Sequence, residues 1–279
     1  MKPYILLIIF ISLLVFTACG NSWDSTSETE PVLIEMETNY GTLIIQLYDE
    51  TPLHRDNFKT LVSEGFYDSL QFHRIIKHFV VQGGDPDTRN LPLSEIDGLG
   101  GLDYTIPAEF HPDLFHKRGA VGAARSDNPE RESSSTQFYF VQGRVATDSL
   151  MVVADSRINH WLAQYHVRMI PEFTALEDSA SVLREAGEIE EADKLLAEYR
   201  QIVEEFDDFE RYVIPGEHKE VYRTIGGIPH LDQNYTVFGE IIKGLEVMDA
   251  MAAVETNEND RPIPEVRLLR ARVVGTNNR

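Results

Sequence analysis

The apolar pattern of this chain changes period twice, and that constrains its architecture more than any single motif. From Val32 to about Ala146, short runs rich in Val, Ile, Leu and Phe are separated by turn residues. Beyond Asp148 the apolar positions recur at helical spacing, and strand texture returns at Tyr235. One β-rich domain, spanning 32–147 and 222–279, is therefore interrupted by a helical insert at 148–221.

The first part opens with Val32 to Thr38 and Gly41 to Tyr48, joined across Asn39-Tyr40-Gly41 as a hairpin. Thr51-Pro52 offers an N-cap and a first helical residue, Phe58, Leu61 and Val62 share a stripe, and Gly65 can end the helix. Strand signals follow at Gln71–Ile76, Phe79–Gln82, Gly119–Ala124 and Gln137–Val141. Many short strands with few helices suggest a barrel or sandwich. After the insert come a strand at Tyr235–Ile242, a helix over Leu245–Val254 and a closing strand at Val266–Val274.

Within the insert, Val153, Ile158, Trp161, Leu162, Tyr165 and Met169 form one helical run that Pro171 breaks. A second run extends from Leu176 to Phe209 with Gly187 as its weak point, so the block reads as a helical hairpin. Residues 148 to 220 carry 18 acidic and 7 basic side chains, about half of the whole chain's net charge of -21. A solvated outer face accounts for this, and a basic partner is the alternative. The acid excess argues against nucleic-acid binding, which depends on cations meeting phosphates.

Residues 1–18 carry Lys2 and the uncharged run Tyr4–Phe16, the pattern of a signal peptide. Phe16-Thr17-Ala18-Cys19-Gly20 resembles a bacterial lipobox, which implies lipidation of Cys19 and membrane anchoring in the cell envelope. Cys19 is the only cysteine, so an intramolecular disulfide is impossible. Residues 19–31, rich in Ser, Thr and acid, read as a flexible tether.

The chemistry concentrates in Phe72-His73-Arg74-Ile75-Ile76 followed by Phe79-Val80-Val81-Gln82-Gly83-Gly84-Asp85, and in Gln137-Phe138-Tyr139-Phe140. An arginine in an apolar strand ordinarily snorkels or forms a salt bridge. The two motifs together, in this order, resemble the signatures of cyclophilins. Gly122-Ala123-Ala124-Arg125-Ser126 is similar to that family's groove loop, and Leu231-Asp232 and Val237-Phe238-Gly239 to its downstream landmarks.

The resemblance implies a closed eight-stranded antiparallel barrel with two capping helices and peptidyl-prolyl cis/trans isomerase activity without a cofactor. The substrates would be proline-containing polypeptides outside the cytoplasm; a proline-binding chaperone with weak or no catalysis is the alternative. It implies catalytic roles for Arg74 and Gln82. It assigns the substrate pocket and groove to Phe79, Val80, Ala124, Arg125, Gln137, Tyr139 and Leu231, with His73, His230 and Tyr235 beside them. Val80 stands where many relatives have methionine, Tyr139 where they have phenylalanine, His230 where some have tryptophan, and Tyr235 where histidine is frequent.

Other chemistries fit poorly. His73/His78 and His111/His116 are five apart, which suits no helical metal pair and suggests surface or groove positions. Asp85-Pro86-Asp87 begins like a calcium loop, but Asn90 occupies the position that requires glycine.

Overall fold

A computed structural model describes residues 30–206 and 209–275. The segment read as a signal peptide, Cys19, and all but the last two residues of the segment read as a tether lie outside them.

In chain order the elements are β1 Val32–Thr38, β2 Gly41–Leu47, α1 Pro52–Ser63, β3 Leu70–Gln71, β4 Arg74–Ile75, β5 Val80–Gly83, β6 Thr105–Ile106, β7 Ala120–Ala123, β8 Ser133–Ser134 and β9 Phe138–Val141. Then come helices α2 Asp148–Arg168, α3 Pro171–Glu185, α4 Ile189–Glu205 and α5 Gly216–Thr224, followed by β10 Val237–Lys243, α6 Leu245–Ala252 and β11 Arg267–Val274. Nine strands form one antiparallel sheet in the order β3-β11-β1-β2-β10-β7-β9-β5-β4, and β6 pairs separately with β8.

The expected closed eight-stranded barrel is thus corrected to a curled nine-stranded sheet. The run read as one strand at Gln71–Ile76 is two short strands at opposite edges of the sheet, with only Phe72-His73 between them. Three residue steps span at most about 11 Å, so the chain itself draws the two edges together. No ladder joins them: Phe72 N–H donates to Val266 and Ile75 N–H to Asp260 instead.

The core lies between the sheet's inner face and helices α1 and α6. Ile34, Met36, Leu43, Ile45, Phe138, Phe140 and Phe238 meet Phe58, Leu61, Met248 and Met251 there, all buried. Thr51 does not cap α1 with its side chain. The Glu109 carboxylate, from a distant loop, accepts both the Leu53 and His54 N–H groups at 3.0 Å and fills that role.

The expected helical hairpin is three long helices and the shorter α5. Pro171 starts α3 at a position where its missing N–H costs nothing, and Gly187, at φ 82, separates α3 from α4. α2 packs on the short turn Pro229–Leu231, and α5 also meets the β domain, His218 stacking on Phe115 and Tyr222 reaching Asp232, while α3 and α4 pack on α2 and on each other.

Candidate active site

Side-chain alternation sorts the two motif strands between core and site. On β5, Val81 joins the core while Val80 and Gln82 face the other way; on β9, Phe138 and Phe140 point inward and Tyr139 outward. Ladder register then aligns Arg74 with Gln82, Gln82 with Tyr139, Tyr139 with Gly122 and Gly122 with Val237. Directly opposed residues point to the same face, so this cross-strand row forms the floor of a site.

Above the row, Arg74, Phe79, Val80, Gln82, Ala124, Arg125, Tyr139, Leu231 and Tyr235 line a cavity of about 230 Å3. Nine of the twelve residues expected at the site therefore converge. Gly122 makes room for the floor: a Cβ on it would lie 2.4 Å from Tyr139 Cζ.

Arg74 is half-exposed, with Nε 3.6 Å from Asp260 and Nη1 donating to Gln82 Oε1 at 3.4 Å. Gln82 Nε2 donates to Gln137 Oε1 at 3.0 Å, and Gln137 Nε2 donates to the carbonyls of Gly98 and Gly100 at 2.8 Å. The orientation of both amides follows from the ends of this chain. Arginine can only donate and carbonyls can only accept, so each glutamine must present its oxygen toward Arg74 and its NH2 away.

Arg125 is nearly buried. Its Nε donates to the Asn234 carbonyl at 2.7 Å, Nη2 donates to the Tyr165 hydroxyl, and its guanidinium lies 4.9 Å from the Tyr235 ring centre and 5.1 Å from that of Tyr165. This cation braces one wall of the cavity against α2.

Three expected site residues lie elsewhere. Gln137 sits behind Gln82 and anchors it rather than lining the cavity. His73 is 1% exposed and faces away from the groove, with Nδ1 unpartnered. Burial, then the nearby Arg261 and Arg74 charges, holds it down at about 4. His230 stacks on the outer face of Phe79 with ring centres 5.9 Å apart, and so belongs to the next crevice.

Beneath the floor is a buried polar chain that sequence reasoning left without a role. The Tyr139 hydroxyl lies 2.9 Å from His116 Nε2, His116 Nδ1 lies 2.8 Å from Asp232 Oδ1, and the Tyr222 hydroxyl donates to Asp232 Oδ2 at 2.8 Å. Burial raises both tyrosine hydroxyls well above their ordinary pKa and keeps them protonated. His116, read as a surface or groove residue, is 1% exposed. The available signals were a tyrosine where relatives carry phenylalanine, and an aspartate following Leu231. Trp161 and Tyr165 were also legible only as helix-face residues, yet both border the site from α2.

Comparison with known proteins agrees with this geometry. Residues 33–167 and 220–273 match the sequence model of the family described as cyclophilin type peptidyl-prolyl cis-trans isomerase/CLD. The chain is 26% identical over 236 residues to a putative peptidyl-prolyl cis-trans isomerase of Staphylococcus epidermidis, covering 84% of this chain and 88% of that protein. It is 28% identical to a putative bifunctional phosphatase/peptidyl-prolyl cis-trans isomerase of Streptococcus pyogenes, again over 84% of this chain but only 37% of that longer protein. A crystal structure of a Cryptosporidium parvum cyclophilin type peptidyl-prolyl cis-trans isomerase shares the fold, with TM-score 0.53 and 17% identity, covering 88% of this chain and 98% of the other. The matched segments include every residue of the cavity, and the chain belongs to the cyclophilin-type peptidyl-prolyl cis-trans isomerase family.

Proposed function

We propose that this groove accelerates rotation about X-Pro bonds of polypeptides outside the cytoplasm and so assists their folding, with the domain tethered to a membrane through lipid on Cys19. The observation that carries the reading is the placement of the Arg74 guanidinium in one cavity with Phe79, Val80, Tyr139 and Leu231. A Cryptosporidium parvum relative of the same fold has been crystallised in the presence of the dipeptide Ala-Pro, which supports a proline ligand here.

The barrier to amide rotation, about 18–20 kcal/mol, comes from partial double-bond character. As the bond twists, its nitrogen becomes pyramidal and gains a lone pair that a guanidinium can meet more strongly than in the planar state. Arg74 is held for this by Gln82, itself held by Gln137. The apolar walls hold the proline ring while the flanking carbonyl turns, and Gln82, at the cavity edge, can bond the substrate backbone. A hydrogen bond to a charged group contributes about 1.5–3 kcal/mol, or one to two decades of rate, and the walls supply the remainder.

The test is protease-coupled or exchange-spectroscopy turnover of a proline peptide by wild type and Arg74→Ala. A loss of about ten- to hundredfold is expected. Equal rates with retained peptide binding would instead make the groove a binding module. The tether is tested by labelled fatty-acid incorporation, expected in wild type and absent in Cys19→Ser.

A further inference from the structure

We propose that the crevice beyond Phe79 and His230 is a second subsite, which takes an acidic residue of the same polypeptide whose proline occupies the groove. The proposal deepens the isomerase reading and rests on it. The crevice, of about 460 Å3, lies between the tip of the β4–β5 hairpin, the turn Pro229–Leu231 and the first half of α2. It shares Phe79 with the proline cavity, so the two sites are separated by one stacked pair of rings.

Its chemistry runs against the rest of the molecule. In a chain of net charge -21, Lys77, Arg144 and Arg157 converge on this one crevice, and all three are exposed. Among the described residues none of them forms an ion pair, whereas Arg55, Arg118, Arg168, Arg223 and Arg267 each do. Arg157 lies 4.6 Å from the Trp161 ring centre, which fixes its stem along α2 without neutralising it. After burial, Arg157 also helps hold His230 down at about 4, so the dividing wall stays neutral at ordinary pH.

Apolar surface lies between the cations. Leu150 and Val153 are 37% and 61% exposed at the crevice, which suits the aliphatic stem of a glutamate better than a free inorganic anion. An extended chain advances about 3.3–3.6 Å per residue, so crossing a ring pair whose centres lie 5.9 Å apart places the acid about two to three residues from the proline. The overall field of the protein disfavours acidic peptides, and a preference for one would therefore report local recognition.

The experiment uses peptides with one Ala-Pro core and a single Glu walked from four residues before the proline to four after, each paired with its Gln counterpart. Both kcat/KM and Kd are read as the Glu/Gln ratio within one protein, so a general loss of activity cancels. Wild type should favour Glu by about fivefold at one register about two to three residues from the proline, and lose this in about 0.5 M salt. Combined Lys77→Gln, Arg144→Gln and Arg157→Gln should bring the ratio to about one, and Arg157→Glu should invert it; unfolding midpoints check that the variants are folded. A wild-type ratio of one or less at every register overturns the subsite, as does equal preference at all registers. A Kd ratio that persists when neither peptide is turned over would keep the subsite and remove the isomerase reading.

Discussion

Replacing Tyr139 with phenylalanine separates the two roles of that residue, wall of the proline cavity and end of the buried Tyr139–His116–Asp232–Tyr222 chain. The substitution keeps the ring and deletes only the hydroxyl, so the cavity's apolar surface is unchanged. What is lost is the 2.9 Å partner of His116 Nε2, a ring nitrogen in a residue 1% exposed that water cannot reach. A buried polar atom left unsatisfied costs about 1–3 kcal/mol, and in a domain of this size each kcal/mol lowers Tm by about 2–4 °C.

Urea unfolding should therefore show a lower midpoint with an unchanged slope, while kcat/KM on a proline peptide changes by less than about threefold, because the surface facing substrate is the same. Tyr222→Phe reaches the same His116–Asp232 pair from the other end. The double variant should deviate from additivity by about 0.5–3 kcal/mol. Unchanged stability in Tyr139→Phe, or a tenfold fall in turnover without loss of stability, would refute the reasoning: the hydroxyl would then be acting on substrate rather than on His116.

Three further outcomes follow from the site. Gly122→Ala should force the Tyr139 ring toward the cavity, because the added Cβ would lie 2.4 Å from Cζ. Overpacking of this kind costs about 1–3 kcal/mol, and turnover should fall along with the urea midpoint. Turnover should be nearly flat between pH 6 and 8, because His73 and His230, both held near 4, stay neutral throughout, and bond rotation needs no proton transfer. A bell-shaped profile in that window would argue for different chemistry. Stability, in contrast, should fall as pH drops from about 6.5 to 4, where the unfolded chain protonates His73 and His230 and the native one does not, the buried His73 contributing up to about 3 kcal/mol of the difference. Urea midpoints at pH 7 and 4.5 measure it, and His73→Phe should reduce the slope, leaving the part that His230 contributes.

Motif strands were readable because alternation and the ladder act on neighbours. Once Gln82 and Tyr139 lie on facing strands, their common face follows from the period of two. Gln137, His73 and His230, expected at the site, do not line the cavity. Which side of a strand or turn meets the ligand depends on the loop packed behind it, here Gly98–Gly100 for Gln137 and Phe79 for His230. The hairpin reading of the insert failed at Gly187, where a weak point in one helical run proved to be a boundary between two helices.

By itself the sequence determined the β domain interrupted by helices, the Arg74–Gln82 and Gln137–Tyr139 motifs, and the residue types able to assist amide rotation. These depend on local periodicity and on side-chain chemistry carried by short segments. The tertiary structure alone decided that the sheet curls with its two edge strands not laddered together, that His116 and Asp232 underlie the floor, that Tyr165 of α2 braces Arg125, and that three cations without an ion pair among the described residues gather beside Phe79. Each of these joins residues far apart in the chain, and such contacts are set by how the layers pack, which no local period encodes.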